Sequence, residues 1–303
     1  MSVLNKAGQL SRRGFLVAAG GALSGCCAGK GFSADESTSR VTFGLVTDLH
    51  AADLEPNANR HYRESAAKLT ACVADMNRRG VDFLIELGDF KDQGKTAGET
   101  LQNLKDIEAI FRQFKGARYH VLGNHDMDRI SKGQALSVIE NTGLPQGRSY
   151  YSFDVKGAHF VVLDATFRPD GSPYDSGNFK WTESFVPDEE LAWLERDLRE
   201  SRRPAVVFIH QLLDGDEDVY YVRNAAAVRR VLEQSGRVRA VFQGHYHEGR
   251  YSRRQGIHYY TLKAMVMGAG MQNSPYAVAA VYADGSLEVS GQNGAESRFL
   301  AAD

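Results

Sequence analysis

The sequence predicts an α/β layered fold, and three patterns predict it. From residue 41 onward, short apolar runs alternate with amphipathic stretches. The runs are rich in β-branched and aromatic residues and bounded by turn residues, as buried strands are, whereas the amphipathic stretches space their apolar residues as helices do. Residue types able to hold a metal cluster at the C-terminal ends of the runs, where open α/β sheets collect ligands.

In chain order, strands are predicted at 41–47, 81–87, 119–122, 160–163, 205–209 and 238–242. Between them, 62–79 reads as a helix with Leu69, Val73 and Met76 on one stripe and Gly80 as its stop. Residues 99–115 repeat the pattern through Leu104, Ile107, Phe111 and Phe114. Pro187-Asp188 opens a helix over 188–200, and a shorter one covers 225–235. Strands follow at 257–262, 277–282 and 286–290, the last two joined by an Asp284-Gly285 hairpin turn. Strand then helix, repeated, is the order that builds layered α/β domains. Two stretches, 166–187 and 212–224, are rich in Gly, Pro, Asp and aromatics and read as long functional loops.

Composition fits a globular protein, with 303 residues, 43% hydrophobic and 24% charged. The net charge of -2 is unevenly spread: Lys6, Arg12, Arg13 and Lys30 stand unopposed in 1–34, so removing those four cations leaves -6 for 35–303. An acidic body argues against a nucleic-acid polymer as partner, which needs basic stripes. A small phosphorylated substrate is compatible, because bound metal can meet its charge.

Residues 1–34 read as a targeting segment and linker. Ser11-Arg12-Arg13-Gly14-Phe15-Leu16 resembles the twin-arginine export motif, with Val17 where that motif often has Lys. The apolar run over 15–28 is shorter than the roughly 20 residues a membrane helix needs. Leu23-Ser24-Gly25-Cys26 looks like a lipobox in which Cys26 would be lipidated; an ordinary cleavable signal is the alternative. The expectation is export by the twin-arginine route to the periplasm or to a lipid anchor at the cell envelope, with membrane contact only through signal or anchor. Cys72 is the single cysteine of 35–303, so no disulfide forms within that body, which suits a protein exported already folded. Its place on an apolar helix face suggests core packing.

The chemistry resides in five segments. One strand ends in Asp48-Leu49-His50, the next in Gly88-Asp89-Phe90-Lys91-Asp92, the third in Gly123-Asn124-His125-Asp126. Later strands end in His210 and in Gly244-His245-Tyr246-His247. A lone histidine after a strand is usually structural; five such segments in succession are not explained that way. Imidazole and carboxylate donors without thiolate suit manganese, iron or zinc in a catalytic rather than a structural site. The neighbouring glycines permit close backbone approach.

This ordered set resembles the calcineurin-like metallophosphoesterase superfamily over residues 43–247, with every motif position filled. The resemblance implies a four-layer domain over 41–291, a β-sandwich of two mixed sheets flanked by helices, with the late strands in the second sheet. It implies two metal ions, divalent or trivalent. Asp48, His50, Asp89 and His247 would hold the first, and Asp89, Asn124, His210 and His245 the second. It also implies hydrolysis of a phosphodiester, phosphoanhydride or phosphomonoester by a metal-bridging hydroxide. Two divalent ions against two carboxylates and a hydroxide leave a net positive seat for a phosphoryl group.

His125 is the candidate to protonate the leaving oxygen, since its motif already supplies Asn124 as ligand. Asp126 is expected to orient that imidazole, or else to cap the turn, and Asp92 to hydrogen-bond within its loop. A narrower likeness is to the manganese-dependent ADP-ribose/CDP-alcohol diphosphatase group. It rests on Asp53-Leu54, on residues 59–65, on Gly244-His245-Tyr246-His247-Glu248-Gly249 and on residues 256–262; that group often has Gln where this chain has His50. Arg60 and Arg63 are candidates to meet a second phosphate. Tyr174, Phe179 and Trp181 would stack on a base or pack their own loop. His61, His120, His159 and His258 read as structural, and Asp164 as a local hydrogen-bonding residue. The alternative function is an exported metal-binding or ligand-binding protein of the same fold without turnover, against which the His125-Asp126 pair speaks.

Overall fold

The computed structural model describes residues 39–302. The twin-arginine motif with Arg12 and Arg13, the lipobox with Cys26 and the rest of the 1–34 segment lie outside the described residues. The first half of the fold is built from β1 (Ser39–Val46), α1 (Ser65–Arg79), β2 (Phe83–Glu86), α2 (Ala97–Phe111), β3 (Ala117–His120), α3 (Lys132–Val138) and β4 (Tyr151–Val155). Then come β5 (Ala158–Val162), α4 (Asp188–Ser201), β6 (Ala205–Phe208), α5 (Ala225–Ser235), β7 (Val238–Gln243), β8 (Arg250–Arg254) and β9 (Ile257–Thr261). The chain closes with β10 (Tyr276–Tyr282), β11 (Leu287–Gln292) and β12 (Arg298–Leu300).

Local chemistry sets the helix starts. The Thr96 side chain accepts from the Glu99 N–H ahead of α2, and Ser131 and Gln134 form a reciprocal capping box on α3. Three acids, Asp188, Glu189 and Glu190, occupy the first turn of α4, where the helix dipole favours negative charge.

The strands form two six-stranded mixed sheets, in the orders β12-β11-β10-β1-β2-β3 and β4-β5-β6-β7-β9-β8. Alternation of side chains on each strand divides the apolar residues among three cores. Phe43 and Phe83 of the first sheet meet Phe160, Phe208 and Phe242 of the second, filling the space between sheets. Burying each such ring stabilises the fold by roughly 1.5–3 kcal/mol. On the outer face of the first sheet, Val46 and Leu84 pack with Leu69, Cys72 and Met76 of α1 and with Leu104, Ile107 and Phe111 of α2. Outside the second sheet, Val161, Val207 and Val241 pack with Leu194 and Leu198 of α4 and with Val228 and Leu232 of α5. Helix, sheet, sheet, helix is the four-layer architecture expected.

Two details differ from expectation. The late strands divide between the sheets: β9 joins the second beside β7, but β10 pairs antiparallel with β1 and carries β11 and β12 with it in the first. The three parallel strands of the first sheet leave one edge of β1 unpaired, and β10 fills it. The domain also runs past the expected limit at 291, because β12 extends that meander.

Candidate metal centre

Strands β1, β2, β3, β6 and β7 end beside one another, and their loops are tied by backbone bonds. Asp48 N–H donates to the Gly88 carbonyl at 3.0 Å, His50 N–H to Asp89 at 2.9 Å, and Gly244 N–H to His210 at 3.0 Å. The approach is close enough to require glycine at two positions. A Cβ on Gly123 would lie 2.2 Å from the Asp89 nitrogen, and one on Gly244 would lie 2.2 Å from Thr47 Oγ1. Asp48, His50, Asp89 and His245 all take positive φ, at 51°, 46°, 55° and 67°. Such backbone costs on the order of 1–3 kcal/mol per residue and persists where surrounding structure enforces it.

The side chains converge. Asp89 Oδ2 lies 3.2 Å from His210 Nε2 and 3.6 Å from His50 Nε2, while its Oδ1 accepts from the His125 N–H at 2.7 Å. Asp48 Oδ2 is held by the Thr47 hydroxyl at 2.6 Å and the His245 N–H at 3.1 Å; its Oδ1 faces His247 Nε2 at 3.3 Å. Beside the overlapping groups His50-Asp89-His125 and Asp92-His125-Asp128, two donor groups result, Asp48-His50-His247 and Asp89-His210-His245. Asp89 reaches His50 as well and so stands between them. Outer partners fix the rings: His210 Nδ1 bonds the Leu87 carbonyl at 2.8 Å, and His50 Nδ1 meets Asp92 Oδ2 at 3.2 Å, so each Nε2 faces the centre.

Burial and charge act strongly here. Burial works against ionising the carboxylates, yet the neighbouring histidines, His210 foremost, hold Asp48 and Asp89 well below the usual carboxylate range. Burial likewise opposes charge on His210, but Asp89 and Asp48 outweigh it and raise its pKa to about 10. His245 shows the opposite result: burial, then the charge of His210, pushes it to about 3. Asp48 Oδ1, Asn124 Oδ1, His210 Nε2 and His245 Nε2 are buried without a hydrogen-bond partner. Orphaned polar atoms are costly, and those of Asp48, His210 and His245, from three strand ends that meet in one place, fit cation binding. The residues present therefore fit a pair of metal ions.

His125 stands beside this centre, its ring 4.7 Å from that of His50 and 27% exposed at the side chain. The expected partner of its imidazole is corrected. Both oxygens of Asp126 accept backbone N–H bonds, from Asp89 at 3.1 Å, Phe90 at 3.0 Å and Gly123 at 2.8 Å. Asp126 thus braces the loops and has no oxygen turned to the ring. Asp128 Oδ2 instead meets His125 Nδ1 at 2.7 Å, with Asp92 Oδ1 at 3.8 Å. The buried Lys91 ammonium holds the same turn through the His125 and Asp128 carbonyls. Thr47, Lys91 and Asp128 were missed by sequence reasoning, although a carboxylate three residues beyond His125 was a legible signal.

Arg63 is engaged by Asp53 at 2.5 Å and Glu55 at 2.6 Å on the surface. Arg60 has no carboxylate partner among the described residues. After burial and His50, its charge is among those that depress the pKa of His247. Tyr174 and Phe179 stack on each other at 4.0 Å, with Tyr174 fully buried, so they pack the loop.

The family model for calcineurin-like phosphoesterases matches residues 41–249, well over half the chain. The chain belongs to the calcineurin-like phosphoesterase family. Among relatives of this phosphoesterase, the manganese-dependent ADP-ribose/CDP-alcohol diphosphatase of Oryza sativa subsp. japonica is 25% identical over 266 residues, 74% of this chain and 83% of that protein. The serine/threonine-protein phosphatase CPPED1 of Bos taurus is 30% identical over 219 residues, 68% of this chain and 66% of its own length. A solved dimetal phosphatase from Danio rerio shares the fold with a TM-score of 0.75 at 21% identity, over 88% of this chain and 100% of that chain. The phosphoesterase is a metal-dependent hydrolase of phosphoric esters or anhydrides.

Proposed function

We propose that this phosphoesterase hydrolyses the phosphoanhydride or phosphodiester bond of a nucleotide derivative, with manganese as the working metal. The carrying observation is Asp89, whose Oδ2 lies between His210 and His50 while unpartnered donors face the same space. Asp48, His50, Asp89 and His247 would hold one ion, and Asp89, Asn124, His210 and His245 the other. When bound, the pair supplies an acidified water and positive charge for the phosphoryl oxygens. His125 delivers a proton to the leaving oxygen, and Asp128 holds its Nδ1 so that Nε2 is turned outward to do so. The names of the plant relatives support a nucleotide-linked substrate, and the acidic body disfavours a polymer. The twin-arginine-like segment supports work outside the cytoplasm, at the envelope.

A panel of monoester, diester and nucleotide-anhydride substrates, assayed under manganese, iron and zinc with a chelator control, tests this. Turnover should be greatest on the nucleotide anhydride with manganese, vanish with chelator and return on re-addition. Asp89→Asn and His210→Ala should fall to background while remaining folded. Turnover that survives complete metal removal would sink the reading.

A further inference from the structure

We infer that Trp181, together with Tyr220, forms a stacking wall beside the metal centre that receives the nucleobase of the substrate; this rests on the nucleotide-derivative reading above. The two residues come from the two long loops, and both reach the same ligand. The Trp181 and Tyr220 rings each lie 5.5 Å from the ring of His245, at 69° and 72°, and 5.7 Å from each other. Tyr246 supports Tyr220 from behind, edge to face at 5.1 Å. His245 is thereby flanked by two aromatic rings, while its backbone N–H donates to the Asp48 carboxylate.

The loop that carries Trp181 shows that burial was available. It seats Tyr174 in the core under Phe179, but leaves Trp181 41% exposed. An indole left open at the rim of a charged centre offers its face to a flat partner. Local charge disfavours phosphate as that partner. Lys180, the single cation of 180–183, pairs with Glu183 at 3.2 Å; of the three acids at 216–218, Asp216 is taken up by Arg229 at 2.7 Å, which leaves Glu217 and Asp218 near Tyr220 in the chain. Arg60, which has no carboxylate partner among the described residues, brings positive charge near Asp48 of the other donor group: its backbone bridges to Met267, next to Val266, whose N–H donates to the Asp48 carbonyl. Phosphate therefore belongs over the metals and toward Arg60, and an uncharged ring belongs on Trp181 and Tyr220. Stacking of this kind is tolerant of which base is present, because every base has a π-face.

Two readouts test the wall separately from catalysis. In Trp193→Phe protein loaded with manganese, Trp181 is the single remaining indole of the two in the chain. Its fluorescence should be quenched by adenosine or cytidine monophosphate and not by ribose 5-phosphate. In steady-state assays, Trp181→Ala and Tyr220→Ala should each lower the preference for a nucleotide anhydride over a base-free phosphodiester by about tenfold, through KM, the scale of one lost base–aromatic stack. Trp181→Phe should restore most of that preference. Equal losses on both substrates, or equal quenching by ribose 5-phosphate, would overturn the inference. If no substrate turns over, the hydrolase reading fails, and the quenching still decides whether the wall binds a base.

Discussion

At the scale of single residues, the structure separates two neighbouring carboxylates by what they touch. Asp126 accepts three backbone N–H bonds from the loops after β2 and β3, so Asp126→Asn should lower stability by about 1–3 kcal/mol, because the amide leaves one of those N–H groups without an acceptor. Chemical denaturation of the metal-free protein measures it. Asp128 touches the His125 ring, so Asp128→Asn should leave stability and metal content near wild type and lower kcat by about 10-fold to 100-fold, part of the usual worth of a general acid. The loss should be larger for substrates with poor leaving groups. An Asp128→Asn variant with normal turnover on alkyl esters would remove Asp128 from the mechanism. The donor set was legible in the sequence because each ligand type closes an apolar run. Which of two aspartates serves His125 was not, because it depends on the direction of a turn that Lys91 and Asp126 fix from other loops.

At the scale of elements, β2, β3 and α2 are joined under the metal loops by Glu86, His120 and Glu108. His120 Nε2 lies 3.1 Å from Glu108 and its Nδ1 3.5 Å from Glu86, all buried. Burial opposes its charge, but Glu108 and then Glu86 raise its pKa from 6.5 to about 9. The folded state therefore binds the proton more tightly than the unfolded chain. The stabilisation is complete below pH 6.5 and is lost as pH rises through about 9. Glu86, raised by burial to about 8, acts in the same direction. Thermal unfolding of metal-free protein should show this decline, which Glu86 begins near pH 4.5 and His210 extends to about 10, and His120→Gln should make it shallower between pH 6.5 and about 9; an unchanged slope in that variant would refute the cluster's role. Buried strands and amphipathic helices were legible from periodicity. The strands that were not, β4, β8 and β12, are all edge strands, half exposed, with polar residues breaking any apolar run. α3 was hidden by its brevity, and its capping box at Ser131 and Gln134 was the available cue.

At the scale of the whole molecule, sandwich and function are one argument. Two sheets held together by phenylalanines bring the ends of β1, β2 and β3 against those of β6 and β7, so ligands almost 200 residues apart in sequence, Asp48 and His245, come into contact. Membership of the sandwich was legible only through the motif order, because no local pattern tells which sheet a strand joins; β10 and β11 show this. The acidic body and the twin-arginine-like start make a further prediction: replacing Arg12-Arg13 with Lys-Lys should strand the protein in the cytoplasm, read by cell fractionation. The central claim is that Asp89 links two ions in one pocket. Metal analysis of manganese-reconstituted protein combined with electron paramagnetic resonance tests it most directly. Two manganese ions per chain, magnetically coupled as ions about 3.5–4 Å apart are, with loss of the coupling in Asp89→Asn, is the predicted result. One ion per chain, or two that show no coupling in the intact protein, would contradict it.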